Sequence, residues 1–227
     1  NEKYNFKTTL FFSVINADRL GPFPSWMGNQ ALGETLEDET IRALDSILSR
    51  YENIDYVIYA GDIDYHFQRA SGSIPKYVEF FDGVYSEIKI KHPDVKIGNS
   101  MSLENILNKG MEPGGTFELT PKLEMGDFIA LSYKPTDTIG DINRTPEEAM
   151  NDLKQSIEIF PSYQIAFFEV SWSTSEFVNG NNNDQAEFIK SSLNFFEENE
   201  SKIEFFTISR LFDKPKGSCV SQDIQSI

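Results

Sequence analysis

Glu169 is the one charged residue inside the otherwise apolar run Ile165 to Val170 (IAFFEV). Such a run reads as a strand buried on both faces, where a charge has to be paired or put to chemical use. The structural alternative is an internal ion pair with an arginine such as Arg210. Two more carboxylates, Asp62 and Asp64, follow the run Tyr56 to Ala60. Read as a continued strand, period two puts both on one face. One would then enter a cleft while the other caps the next helix. Capping by both is the ordinary use of Asp after a strand. His66 lies just beyond, and the only other histidine is His92. A histidine metal site and a Ser-His-Asp triad are both disfavoured, and there is no GxSxG elbow. Asn16, Tyr133 and Arg210 end other apolar runs, and Trp172 closely follows Glu169.

Two carboxyl groups on different strands are the equipment of acetal cleavage. One protonates the leaving oxygen, and the other acts as nucleophile or activates water. Glu169 and Asp62 are therefore the candidate catalytic pair. Asp64, His66, Asn16, Tyr133, Trp172 and Arg210 are the candidate substrate contacts. Trp172 would stack on a sugar ring; its structural alternative is ordinary packing in the loop after a strand. No cofactor and no metal centre is expected. Asp62 and Asp64 together on a divalent cation is a weaker reading.

These residues need parallel strands to bring them together. Six apolar runs rich in β-branched and aromatic residues read as strands: Thr8–Ile15, Tyr56–Ala60, Val95–Met101, Phe128–Tyr133, Ile165–Val170 and Ile203–Leu211. Helical spacing lies between them, at about Leu36–Tyr51, Pro75–His92, Pro146–Ile159 and Asp184–Phe196. Thr145 followed by Pro146 reads as a helix N-cap with proline in the first turn. Strand–helix alternation without hairpin turns implies a mainly parallel sheet. An open doubly wound sheet would carry a glycine-rich phosphate turn after its first strand, and no GxGxxG is present. The expected fold is an α/β TIM barrel, (β/α)8, as a single partial domain over residues 1–227, with its chemistry at the C-terminal strand ends.

Composition narrows the partners. Of 227 residues, 36 are acidic and 20 basic, a net charge of −16 that repels nucleic acid and anionic lipid. A neutral carbohydrate substrate fits better. The single cysteine, Cys219, allows no intramolecular disulfide and no cysteine metal site. No stretch is apolar enough for membrane insertion. The first residue is Asn1 rather than Met, which we read as processing or truncation, and we expect a secreted or cell-surface protein.

Four stretches resemble the retaining (β/α)8 glycoside hydrolases that carry the acid/base on strand four and the nucleophile on strand seven. The flavour is endo-galactanase-like. The stretches are Gly61-Asp62-Ile63-Asp64-Tyr65-His66-Phe67, Leu131-Ser132-Tyr133-Lys134-Pro135, Glu169-Val170-Ser171-Trp172 and Asp184-Gln185-Ala186-Glu187-Phe188. Pro93 to Gly98 is similar to the approach to strand five. The resemblance runs from Phe11 to about Asp213. It implies that Glu169 is the nucleophile, that Tyr133 helps orient it, and that the acid/base lies at or beside Asp62. It also implies that the six runs are strands three to eight, with the missing barrel segment removed or on another chain.

The sequence departs from that family at one place that matters. The family's Asn-Glu pair on strand four is replaced by the single Asp62, whose carboxyl is one methylene shorter. Misplacement by about 1 Å costs on the order of 100-fold in rate. This motivates a second expectation, a catalytically impaired glycosidase-like domain that binds glycan or protein in a larger surface assembly.

Overall fold

The computed structural model describes residues 7–108, 115–137 and 139–209. Strand β1 is Thr8–Phe11, and a two-residue pair, β2 (Ile15–Asn16) and β3 (Arg19–Leu20), follows it. The remaining strands are β4 (Ile54–Ile58), β5 (Lys96–Ser102), β6 (Phe128–Tyr133), β7 (Gln164–Val170) and β8 (Ile203–Ile208). The helices are α1 (Glu34–Arg50), α2 (Ile63–Ala70), α3 (Ile74–Lys91), α4 (Leu103–Leu107), α5 (Thr120–Leu123), α6 (Pro146–Ile159) and α7 (Asn182–Glu198). Six strands pair in the order β1-β4-β5-β6-β7-β8, all parallel. This is a partial TIM barrel, as the alternation of runs implied.

Two expectations about local structure fail. The first apolar run does not continue as a strand to Ile15. It breaks after Phe11, and β2 pairs antiparallel with β3 through Ala17, which adopts φ 50°. The stretch after β4 is not an extended strand end either. Asp62 takes a left-handed conformation (φ 46°, ψ 50°), and the chain turns there into α2. Short polar side chains tolerate that region best, which suits Asp at the turn. Period two therefore does not relate Asp62 to Asp64.

The helices form as their ends dictate. At α6, the Thr145 hydroxyl accepts the Glu148 N–H while the Glu148 carboxylate accepts the Thr145 N–H at 2.8 Å. This closes a capping box, with Pro146 in the first turn. The outward face of the sheet packs under the helices in one large core. It includes Tyr59, Phe80, Phe81, Met101, Leu131, Leu153, Phe167 and Phe188.

The inward face carries a second, smaller cluster. Tyr56, Ile58, Phe128, Ala130 and Ala166 are buried there, with Phe168 and Phe205 packed against them. The curl of the sheet is visible in cross-face contacts. Tyr56 on β4 meets Phe205 on β8 with ring centroids 5.0 Å apart. Aromatic rings of this size fill the space that opposite strands enclose.

Candidate active site

Strand alternation decides which side chains reach the inward face. On β6, Phe128 and Ala130 point inward and Ile129 and Leu131 outward. Ser132 continues the inward set, and Lys134, just past the strand, follows it. Tyr133 therefore points outward. It is fully buried, and its hydroxyl donates to Asp152 on α6 at 2.8 Å. The expected role of Tyr133 in orienting Glu169 is not realised. Lys134 takes that place, with Nζ 3.0 Å from Glu169 Oε1.

On β7, Ile165 and Phe167 face outward and Ala166 and Phe168 inward. Simple alternation would turn Glu169 outward. The ladder to β6 shifts register after Leu131, so that Ser132 pairs with Glu169 rather than with Phe168. The shift turns Glu169 inward, and Val170 returns to the outer core. An extra residue in one strand re-aims the next side chain in this way. Trp172 falls on the outer side. It is 6% exposed, with its ring 5.0 Å from Phe188 of α7, so it packs the core and offers no face to a sugar.

Asp62 lies against the same residue of β6. Its Oδ1 accepts from the Ser132 hydroxyl at 2.9 Å and from the Ser100 hydroxyl at 3.2 Å, and its N–H donates to Ser100 Oγ at 2.7 Å. Ser132 thus touches Asp62 through its hydroxyl and is the ladder partner of Glu169. Burial holds the Asp62 carboxyl above its ordinary range. The two serine hydroxyls and the Lys134 charge oppose that shift, and the Glu169 charge adds to it.

Asp64 does not reach this rim. It is fully buried, and its oxygens accept from Ser102 N–H (2.9 Å), Asn105 Nδ2 (2.6 Å) and Thr116 Oγ1 (3.0 Å). Burial raises it to about 7, the nearby Asp62 charge adds to this, and those donors oppose it. It fastens α2 to β5 and α4. Asp62 and Asp64 therefore share no open coordination site. Among the described residues, no cluster of three His, Cys, Asp or Glu side chains is arranged to hold a metal ion.

His66 lies on α2 with Nδ1 3.1 Å from the Asp18 carbonyl, which ties the helix to the β2–β3 turn. Asn16 is exposed on β2 and forms an isolated bridge with Gly61, the residue before Asp62. Arg210 lies outside the described residues.

Glu104 joins the site unannounced by the motifs. It lies in the first turn of α4, directly after β5, and its Oε2 lies 3.4 Å from the Lys134 backbone nitrogen. Burial raises it to about 8, and the Asp62 charge adds to the shift. Lys134 and Glu104 had a sequence signal in the polar residues that follow apolar strands, and period two along β6 selects Lys134.

The rim is thus three carboxyl groups, Asp62, Glu104 and Glu169, around one lysine, over a floor of inward-facing aromatics. A protonated carboxyl beside a carboxylate paired with an ammonium can divide proton donation from nucleophilic attack.

The fold is similar to solved glycoside hydrolases. The GH53 catalytic domain of Ignisphaera aggregans matches with a TM-score of 0.64 and 16% identity, over 90% of this chain and 63% of that one. A calcium binding mutant of Bacteroides uniformis beta-glucuronidase 2 matches with a TM-score of 0.64 and 11% identity, over 94% of this chain and 24% of that one. An active-site mutant of Rhizomucor miehei beta-1,3-glucanosyltransferase in complex with laminaritriose matches with a TM-score of 0.59 and 14% identity, over 94% and 69% of the two chains. The chain spans less than two-thirds of the length of the first two. No family model matches the sequence, and no curated protein does. At these identities the likeness is one of fold, a glycosidase-type barrel in part.

Proposed function

We propose that the protein cleaves O-glycosidic bonds of a neutral polysaccharide or oligosaccharide by a retaining two-carboxylate mechanism. Glu169 attacks the anomeric carbon, and the bond from that carbon to the leaving oxygen breaks. Asp62 gives its proton to the leaving oxygen. Water then enters, Asp62 takes its proton, and the bond to Glu169 breaks to release the sugar. Lys134 holds the Glu169 carboxylate before attack. Asp64, buried behind Asp62, is a positioning residue. The acidic surface favours an uncharged substrate, and a secreted or cell-surface setting suits a polymeric one.

The observation that carries this reading is that Asp62, at the start of α2, and Glu169, on β7, both adjoin Ser132: Asp62 through its carboxylate and Glu169 as the ladder partner, near enough for the Glu169 charge to act on Asp62. A specific observation also favours the second reading, a glycan-binding domain with impaired chemistry. Glu169 is held in an ion pair with Lys134, and Asp stands where the similar family has Asn-Glu. One experiment separates the two. Neutral β-glycans and their aryl glycosides are incubated with the protein, and the first-formed product is followed by proton NMR. The retaining reading expects product of unchanged anomeric configuration and complete loss of turnover in Glu169→Gln. Turnover unaffected by that substitution, or inverted product, sinks it. Binding without any turnover establishes the second reading.

A further inference from the structure

Phe11, at the C-terminal end of β1, is 46% exposed although it belongs to a strand of the main sheet. Its ring stacks on Phe168 of β7, with centroids 5.8 Å apart and planes inclined by 19°. Phe168 is the residue immediately before Glu169. The Cζ tip of the Phe11 ring meets the chain just before Asp62. A Cβ placed on Gly61 would lie 2.7 Å from Phe11 Cζ, closer than any side chain tolerates. Gly61 is therefore the residue that lets the ring lie against the backbone there. One aromatic ring thus touches both residues that precede the two proposed catalytic carboxyls, on a residue that is nearly half exposed.

A pyranose carries C–H groups on one face and hydroxyls around its edge. It stacks on flat aromatic rings and leaves the hydroxyls for polar partners. A sugar ring whose anomeric carbon faces Glu169 has to rest on whatever lies between Glu169 and Asp62. We propose that Phe11, braced by Phe168, is the platform on which the apolar face of the sugar ring rests at the point of cleavage. This rests on the reading of Glu169 and Asp62 given above. It replaces Trp172 as the stacking residue, because Trp172 is packed under α7.

The test uses the full chain carrying Glu169→Gln, which arrests chemistry while leaving the floor intact. Binding of cellotetraose, β-1,4-galactotetraose and laminaritriose is measured separately by calorimetry. Phe11→Leu, which keeps apolar volume without a flat face, and Phe11→Tyr, which keeps the face, are then added. With the tetra- or trisaccharide that binds, Phe11→Leu is expected to weaken affinity about tenfold, the equivalent of one stacked aromatic contact. Phe11→Tyr is expected to hold affinity within about twofold. Thermal unfolding of each variant reports any loss of packing, and if Phe11 were only structural the affinity lost in Phe11→Leu would follow its fall in unfolding temperature. Affinity unchanged in Phe11→Leu overturns the platform and leaves the glycosidase reading standing. Equal loss in both variants, tracking their unfolding temperatures, also overturns the platform alone. If none of the three sugars binds with Phe11 in place, the platform fails, and the glycosidase reading is decided by its own turnover test.

Discussion

The inward face of the sheet carries a lysine–glutamate pair at each end, and the two pairs are built differently. At the N-terminal end, Lys96 pairs with Glu204, whose other oxygen accepts from the Tyr56 hydroxyl at 3.1 Å. Lys7 in turn donates to that hydroxyl at 3.3 Å. The Glu204 side chain is 11% exposed and stands beside the aromatic cluster. At the C-terminal end, Glu169 pairs with Lys134 at 3.0 Å, both side chains reach solvent, and two further carboxyls stand close by. The first arrangement satisfies its charges and closes the barrel floor. The second brings acidic groups together where satisfying them is incomplete. That is the general division between the two ends of such barrels: one end stabilises, the other performs chemistry.

The largest effect that separates them is on rate. Asp62→Asn removes the proposed proton donor and is expected to lower kcat on unactivated glycosides about 10²- to 10⁴-fold, with less loss on aryl glycosides whose leaving groups need no proton. Steady-state kinetics on the two substrate classes checks it, and equal losses on both would remove Asp62 from the role. Next comes stability. Glu204→Ala leaves Lys96 and the Tyr56 hydroxyl short of a partner and is expected to cost about 2 kcal/mol in urea unfolding. Glu169→Gln breaks a solvent-accessible pair and is expected to cost less than about 1 kcal/mol. A reversed order would mean that the C-terminal pair, not the other, holds the sheet together.

A further difference is a pH dependence. Burial raises Glu104 from its ordinary 4.5 to about 8. A carboxyl raised on folding stabilises the folded state when protonated, below its ordinary value. That contribution is lost as pH rises through the window from about 4.5 to about 8. Asp64, raised to about 7, acts in the same direction. The melting temperature is therefore expected to fall over this window. Glu104→Gln, which cannot ionise, is expected to flatten the fall by a few degrees, on the order of 1–2 kcal/mol after allowing for partial solvent access. Calorimetric scans from pH 4 to 9 on both proteins check it, and parallel curves would show that Glu104 is not held protonated.

Much of the fold was legible because burial writes itself into composition. A run such as Phe128–Tyr133, apolar and flanked by turn residues, has few uses besides a strand covered on both faces. Thr145-Pro146-Glu147-Glu148 names its own helix start, because the cap chemistry is local to those four residues. Glu169 was legible for the same reason, as a charge where none is ordinarily placed. Sequence is a poor guide where one chain segment depends on another. Tyr133 ends an apolar run beside the site, yet alternation along β6 sends it outward, and Trp172 stands close after Glu169, yet α7 covers it.

What the sequence by itself determined is the parallel strand–helix order, the acidic surface, and the placement of carboxyls just beyond apolar strands, because each depends on residues near one another in the chain. What only the tertiary structure decided is which carboxyls meet. The left-handed turn at Asp62 puts its carboxylate on Ser132, the register shift between β6 and β7 turns Glu169 inward beside that residue and toward Lys134, and the fold brings Phe11 alongside. Direction at a strand end is set by pairing with the neighbouring strand, and that pairing joins residues tens of positions apart.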